Sequence, residues 1–227
     1  MRKTSLDMVY RLAKKDKRVF FIGSDLGAGI LDNFKKEMPD RFLMEGVSEA
    51  HVIGLAAGLA KEGKIVYVNT IATFITRRCF EQNVLELGLH KLKVRLIGNG
   101  GGLVYAPLGP THLAIDDLAI MRTIPNMAVV APCDEVEMEK LMLQTLDYPG
   151  PIYIRVAKGG EPIVTGKKRS FKIGRGYLVK SGEKVLVVTT GVTLHIALEA
   201  YAQLKKKGKT IFRFRDLRHG CFIHRKP

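Results

Sequence analysis

No stretch of the sequence approaches the roughly 18 consecutive apolar residues that a membrane span needs. The opening MRKTSLDMVYRLAKKDKRVFF also lacks the apolar core and small-residue cleavage site of a signal peptide. A cytoplasmic protein with no membrane partner is the expectation. Cysteine is sparse: Cys79, Cys133 and Cys221 are odd in number, far apart and free of any CxxC. That suggests neither a disulfide framework nor a zinc site, and makes reduced, mostly structural thiols the expectation. Acids are scarce too, with 22 Asp and Glu against 37 Lys and Arg, a formal charge of +15. Such an excess raises nucleic-acid binding, because Lys and Arg that neutralise phosphates drive it. Distribution argues against it. From Lys205 to Lys226 nine Lys and Arg meet the single acid Asp216, so about half of the excess lies in the last tenth of the chain. No aromatic-interleaved basic face or recognition helix accompanies it, so no nucleic-acid partner is expected. Anionic small substrates suit the charge equally well.

What is present is alternation. In the 227 residues, 46% of them hydrophobic, short apolar runs alternate with helix-like spacing. TSLDMVYRLAKK spaces Leu6, Val9, Tyr10 and Ala13 as a helix, with Thr4 and Asp7 as a capping box. RVFFIGSDLG reads as a buried strand opening into a loop, and the cycle repeats through Arg41–Met44 (strand), Glu49–Lys61 (helix), KIVYVNT (strand) and Thr73–Leu87 (helix). KVRLIG, Asp116–Arg122, MAVVAP, Asp134–Leu146 and PIYIRV continue it. This pattern predicts an α/β fold with a doubly wound, mostly parallel sheet. Ligands in such sheets sit at the carboxyl ends of the strands. Residues 161–184 turn polar and read as a linker with a short hairpin. KVLVVTTG, LHIALEAYAQLKKKG and KTIFRFRDL then restart a βαβ unit, too small to stand alone.

Several residues at those carboxyl ends are candidates for chemistry. Glu49 begins the helix EAHVIGLAAGLAK. A carboxylate there is favoured by the helix dipole and free N–H groups, yet the small, apolar helix behind it implies burial. A carboxyl with so few polar neighbours would hold a proton or share one with a ligand nitrogen. The turn GNGGGLVYAPLGPTH, residues 98–112, has five glycines and two prolines but matches neither GxGxxG nor a P-loop. His112 within it is either a proton shuttle or phosphate contact, or a plain loop histidine. Phe74, Arg77 and Phe80 share roughly one helical face. Core packing explains Phe80, but a guanidinium beside aromatics needs an anionic or carbonyl partner and would suit a flat heterocycle.

Taken in order, FFIGSDLG, RFLMEGVSEAHVIGLAAGLA, TFITRRCFEQ, GPTHLAIDDLAIMRTIPNMAVVAPCDEVE, PIYIRVAKG and VLVVTTGVTLHIALEA resemble the pyrimidine-binding half of thiamine-diphosphate enzymes of the transketolase kind. The resemblance covers residues 1 to about 200. It implies that Glu49 hydrogen-bonds N1′ of the cofactor's aminopyrimidine, favouring the imino form that ionises thiazolium C2. It further implies that Asp25, Phe74, Arg77 and Phe80 line the cofactor pocket, Arg77 matching the arginine of deoxyxylulose-phosphate synthases. His112 falls at a substrate-site histidine, and Lys158 takes the place of an arginine that holds a sugar phosphate. With His112 it is the expected phosphate contact.

Two departures qualify these expectations. Gly100 and Leu108 fall where typical transketolases carry a histidine and an aspartate that contact donor hydroxyls. The chain also has no GDG motif followed by a metal-binding asparagine, so no metal ligand is expected in it. The resemblance therefore implies a pyrimidine-domain subunit. It is expected to act only with an N-terminal-type partner subunit that holds most of the diphosphate and Mg²⁺ site, and to self-associate as a homodimer or heterotetramer. The expected division is a pyrimidine-binding domain over 1–160, a linker over 161–184 and a truncated second α/β domain over 185–227. Two-carbon ketol transfer between sugar phosphates is the expected reaction. Alternatives are a synthase-like condensation of pyruvate with an aldehyde, and a non-catalytic regulatory subunit.

Overall fold

In a computed structural model of the chain, the structure describes residues 1–23, 29–166, 171–181 and 185–208, and the backbone of 212–216. Helix α1 (Arg2–Lys15) leads into β1 (Val19–Gly23), and α2 (Asp32–Glu37) precedes β2 (Phe42–Met44) and α3 (Glu49–Lys61). Then follow β3 (Ile65–Ile71), the short helices α4 (Ala72–Thr76) and α5 (Phe80–Gln82), and β4 (Val94–Asn99). Helix α6 (Asp117–Met121), β5 (Ala128–Val130), α7 (Glu135–Thr145) and β6 (Ile152–Val156) complete the first unit.

All six strands pair in parallel, in the order β2-β1-β3-β4-β6-β5. Val19, Ile22, Ile65, Val66, Val94, Leu96, Ile152 and Ile154 are fully buried, as strands covered on both faces must be. One face packs on α1 and α7 through Leu6, Val9, Leu12, Leu141 and Met142. The other packs on α3 and α4 through Val52, Ile53, Ala56, Ala57 and Ile75. The strand order reverses between β1 and β3, and the carboxyl ends of this crevice are where a doubly wound sheet takes its ligand. Among the described residues no helix is long and apolar enough to cross a membrane.

Three local expectations are corrected. Neither Thr4 nor Asp7 caps α1; the helix starts at Arg2 with Met1 in the capping position and no side-chain bond. Met1 is itself part of the core, and its burial draws the helix start back. The single helix over Thr73–Leu87 is broken instead, α4 ending at Thr76 and α5 passing into a π-helical turn over Asn83–Leu89. Side chains compete for the carbonyls: Asn83 Nδ2 donates to Ile75 O at 2.7 Å and Cys79 Sγ to Phe74 O at 3.2 Å. Such insertions into the ladder break helices. Where a hairpin is expected, the described residues of 161–184 form one strand, β7 (Tyr177–Lys180), which pairs antiparallel with β9 (Phe212–Asp216) rather than with a sequence neighbour. With β8 (Val185–Thr189), which runs parallel to β9, it makes a second sheet, order β7-β9-β8, beside α8 (Thr193–Lys206). His195 Nε2 lies 2.7 Å from Cys133 O, tying α8 to the first unit.

Arg95, in the middle of β4, is completely buried. It donates to Thr145 O and Tyr148 O at 2.8 Å and also to Gly150 O, satisfying carbonyls at and beyond the end of α7. Burial pulls its guanidinium down to about 10, and the three carbonyls are what make it tolerable there. Arg95→Met keeps the bulk and orphans these acceptors, so a loss of about 3 kcal/mol is expected. A lower urea midpoint with an unchanged slope is the signature to measure.

Candidate functional site

Glu49 is the first residue of α3 and only 4% exposed. It closes a narrow crevice lined by Gly46, Val52, Val68, Asn69, Thr70 and Ile75, at the carboxyl end of β3. Asn99, at the end of β4, donates to Asn69 Oδ1 at 2.8 Å and to Thr70 O at 3.0 Å, while its own buried Oδ1 has no partner among the described residues. An acceptor is thus left beside the crevice.

The carboxyl has a partner that the sequence did not point to. Arg78 Nη1 donates to Glu49 Oε2 at 2.6 Å, and the same guanidinium carbon lies 4.2 Å from the centre of the Phe74 ring. The helix break between α4 and α5 makes this possible by turning Arg77 and Arg78 out over the site. A planar, N–H-donating group therefore lies over the Phe74 ring and donates to Glu49. An aminopyrimidine whose ring nitrogen shares a proton with the carboxyl would make the same two contacts, so the residues present fit that heterocycle.

Phe74 is met edge-on by His112, ring centres 5.0 Å apart at 68°, and Tyr105 meets the other side of His112 at 6.4 Å. The turn that carries His112 is braced from α4. Thr73 Oγ1 donates to Thr111 O at 2.9 Å, and Arg77 Nη2 to Pro110 O at 3.1 Å and Leu113 O at 3.3 Å. Thr73, Phe74, Arg77, Arg78, Pro110 and Thr111 line a cleft of about 350 Å³. The structure thus brings Glu49, Phe74, Arg77 and His112 together. Phe80 is partly buried and leans on the α3 side of the core. Lys158 is exposed on the loop after β6, with no partner among the described residues. Asp25 lies outside the described residues, as does Cys221. Cys79, beneath Arg78, is buried, and burial together with the Glu49 charge pushes its thiol up to about 12, an inert form.

At Gly100, one of the two departures from the family pattern, Tyr105 takes the room. Gly100 sits at φ +80°, and a Cβ there would come within 2.1 Å of the Tyr105 ring. The ring fills the place a side chain at 100 would take, while Leu108 is 57% exposed. Gly100→Ala is expected to cost about 1–2 kcal/mol, part backbone and part steric. In a Tyr105→Ala background only the backbone part should remain, which a double-mutant cycle on thermal midpoints measures.

Below the loop, Asp117 Oδ2 accepts from Tyr153 Oη at 2.7 Å and pairs with Arg155 Nε at 3.1 Å. Burial raises the Asp117 carboxyl, with Arg155 pulling the other way, and raises the Tyr153 phenol well above its usual range. Tyr153 and Arg155 fill the space over Gly98 and Gly101. The charged Arg155 in the otherwise apolar run PIYIRV was the sequence signal for this network, and it passed unread.

A wholly parallel, doubly wound sheet whose carboxyl edge carries a buried acid, an aromatic face and basic groups is a small-molecule-binding α/β domain. The chain belongs to the transketolase family: residues 1–161 match the family described as "Transketolase, pyrimidine binding domain". It is similar to one of the subunits of the apulose-4-phosphate transketolase of Phocaeicola vulgatus, 34% identical over 209 residues, covering 91% of this chain and 67% of that protein. It is also similar to the 1-deoxy-D-xylulose-5-phosphate synthase of Parasynechococcus marenigrum, 33% identical over 214 residues, covering 92% of this chain and 33% of the synthase. A solved structure described as a split gene transketolase, inactive beta4 tetramer, superposes with a TM-score of 0.85 at 31% identity, over 96% of this chain and 71% of that one. The chain spans about two thirds of the length of its Phocaeicola relative.

Proposed function

We propose that the chain is the pyrimidine-binding subunit of a two-subunit, thiamine-diphosphate-dependent enzyme that transfers a two-carbon ketol unit between sugar phosphates. The observation that carries this is the buried Glu49 facing a flat, N–H-donating group that lies over the Phe74 ring. Family membership implies dependence on thiamine diphosphate. When bound, the cofactor supplies the carbon nucleophile that cleaves the donor and carries its two-carbon unit. Glu49 holds the proton at the ring nitrogen facing it, in a crevice that keeps water away. Phe74 orients the ring by stacking, and His112, fixed against Phe74 and Tyr105, reaches the substrate side. Arg77 shapes the pocket by holding the His112 turn, and Phe80 supports it from the core side; for Asp25, outside the described residues, the family resemblance alone supports a cofactor-binding role. Lys158 offers a sugar phosphate an unpaired point charge.

Among the described residues no three His, Cys, Asp or Glu side chains are grouped to hold a metal ion. The Mg²⁺ and diphosphate are assigned to an N-terminal-type partner subunit, so that the cofactor would lie across the interface. Self-association of this chain, as a homodimer or within a heterotetramer that includes that partner, belongs to the same reading. The division into a domain over 1–160, a linker over 161–184 and a second unit over 185–227 belongs to the same reading, with β7 the part of the linker that joins the second sheet.

One observation favours a second reading. With the Tyr105 ring in the room beside Gly100 and an exposed Leu108, the histidine and aspartate that the resemblance links to donor hydroxyls are both missing, which suits pyruvate as donor, condensed with an aldehyde. The test is to mix the purified chain with its diphosphate-binding partner, thiamine diphosphate and Mg²⁺, and to compare ketose phosphates with pyruvate as donors. Turnover of ketose phosphates by the mixture and by neither chain alone is expected. Turnover of pyruvate only would replace the first reading with the second, and no turnover by a well-folded complex would leave a regulatory subunit.

A further inference from the structure

We propose that Arg78 occupies the pyrimidine place in the free chain and competes with the cofactor's heterocycle for it, so that this one residue sets how tightly the ring is taken. The proposal rests on the pyrimidine-site reading above. Glu49 Oε2 and one face of Phe74 are both engaged by the same guanidinium, at 2.6 Å and 4.2 Å. A ring that stacks on that face and bonds that oxygen cannot enter while the guanidinium stays. The two partners differ sharply in exposure: the Glu49 side chain is 4% exposed and the Arg78 side chain 46%. The acid is therefore fixed in the wall, and the arginine is the part able to leave.

The backbone supports that asymmetry. Arg78 sits in the break between α4 and α5, where its own N–H reaches Thr73 O only at 3.5 Å. Its side chain can swing to solvent without unwinding a helix, and a guanidinium released to water loses little. What it gives up is one half-exposed charge pair and one cation–π contact, each modest on its own. The closed state thus keeps the buried carboxylate paired until a ligand replaces the cation. Arg77, its neighbour, cannot take this role, because its guanidinium is engaged with Pro110 O and Leu113 O.

The test uses the full chain and the neutral heterocycle 4-amino-5-(hydroxymethyl)-2-methylpyrimidine as probe, titrated by ligand-observed NMR. Arg78→Ala is expected to bind the probe about five- to thirtyfold more tightly than the unaltered chain, the combined strength of the two contacts removed. Arg78→Lys, which keeps the charge but loses the flat stack, should fall between them. Glu49→Gln should weaken binding in the Arg78→Ala background, where no competing pair is lost with it. A second measurement needs no variant. Raising the salt concentration weakens the Arg78–Glu49 pair but not a neutral ligand, so the unaltered chain should bind the probe more tightly in salt while Arg78→Ala does not. Binding that depends on Glu49 but is unchanged or weakened by Arg78→Ala overturns the competition and leaves the pyrimidine site standing. Absence of probe binding in every folded variant overturns both.

Discussion

Glu49→Gln, assayed in the complex with the diphosphate-binding partner, is expected to lower the turnover of ketol transfer by a factor of about 10²–10⁴, the usual weight of a general acid–base group. The substitution keeps the size of the side chain and its ability to hydrogen-bond, so donor KM should change little. What it removes is the exchangeable proton at the ring nitrogen. Loss of fold is the rival cause of a low rate, and it has its own signature. Glu49 is 4% exposed but its partner Arg78 is half in water, so breaking the pair should cost stability only on the order of 1 kcal/mol. A thermal midpoint within a few degrees of the unaltered chain, together with a rate down by two orders or more, separates chemistry from folding. Full activity of Glu49→Gln would remove Glu49 from the mechanism and with it the central step of the proposed function.

The layers of this fold were legible where burial repeats along the chain. KIVYVNT and PIYIRV are strands covered on both faces, and such strands read as apolar runs whatever else surrounds them. The acid at the start of α3 stood out for the same reason, since its helix has little polar surface to explain it. What remained hidden depends on pairs distant in sequence. Arg78 looks like a solvated charge beside Arg77, and only the break after Thr76, made by the Asn83 and Cys79 side chains, turns it onto Phe74 and Glu49. The strand at Tyr177–Lys180 escaped because its partner β9 lies beyond β8 and α8. Tyr105 escaped because nothing local places its ring over Gly100, five residues back in a turn full of glycine. Local propensity gives the frame, and long-range side-chain contacts decide what the site can bind.

Arg155→Met is expected to destabilise the protein by about 3–5 kcal/mol at pH 8, because it leaves the buried Asp117 without its cation. Asp117 keeps the Tyr153 hydroxyl at 2.7 Å, and the Leu118 backbone also favours its charged form, but neither supplies a countercharge. The pH dependence has a definite sign. Burial already raises the folded-state carboxyl of Asp117 above its ordinary value, and removing the guanidinium that opposes this raises it further. A carboxyl raised in the folded state is tolerated below its unfolded value, where it is protonated in both states. Stability is then lost as the pH climbs from that value to the folded one. The penalty of Arg155→Met should therefore shrink at pH 5 and grow toward pH 8, and Asp117→Asn added to it should recover much of the loss at pH 8 and flatten the slope. Urea unfolding at both pH values measures this; a penalty independent of pH would mean that Arg155 acts through packing over Gly101 and not through charge. The consequence reaches the site, since Arg155 also donates to Ala114 O at 2.9 Å and packs against the turn of Gly101 and Gly102. That turn leads through Tyr105 to His112, so activity in the complex should fall with the stability of the loop while Glu49 and Phe74 remain in place.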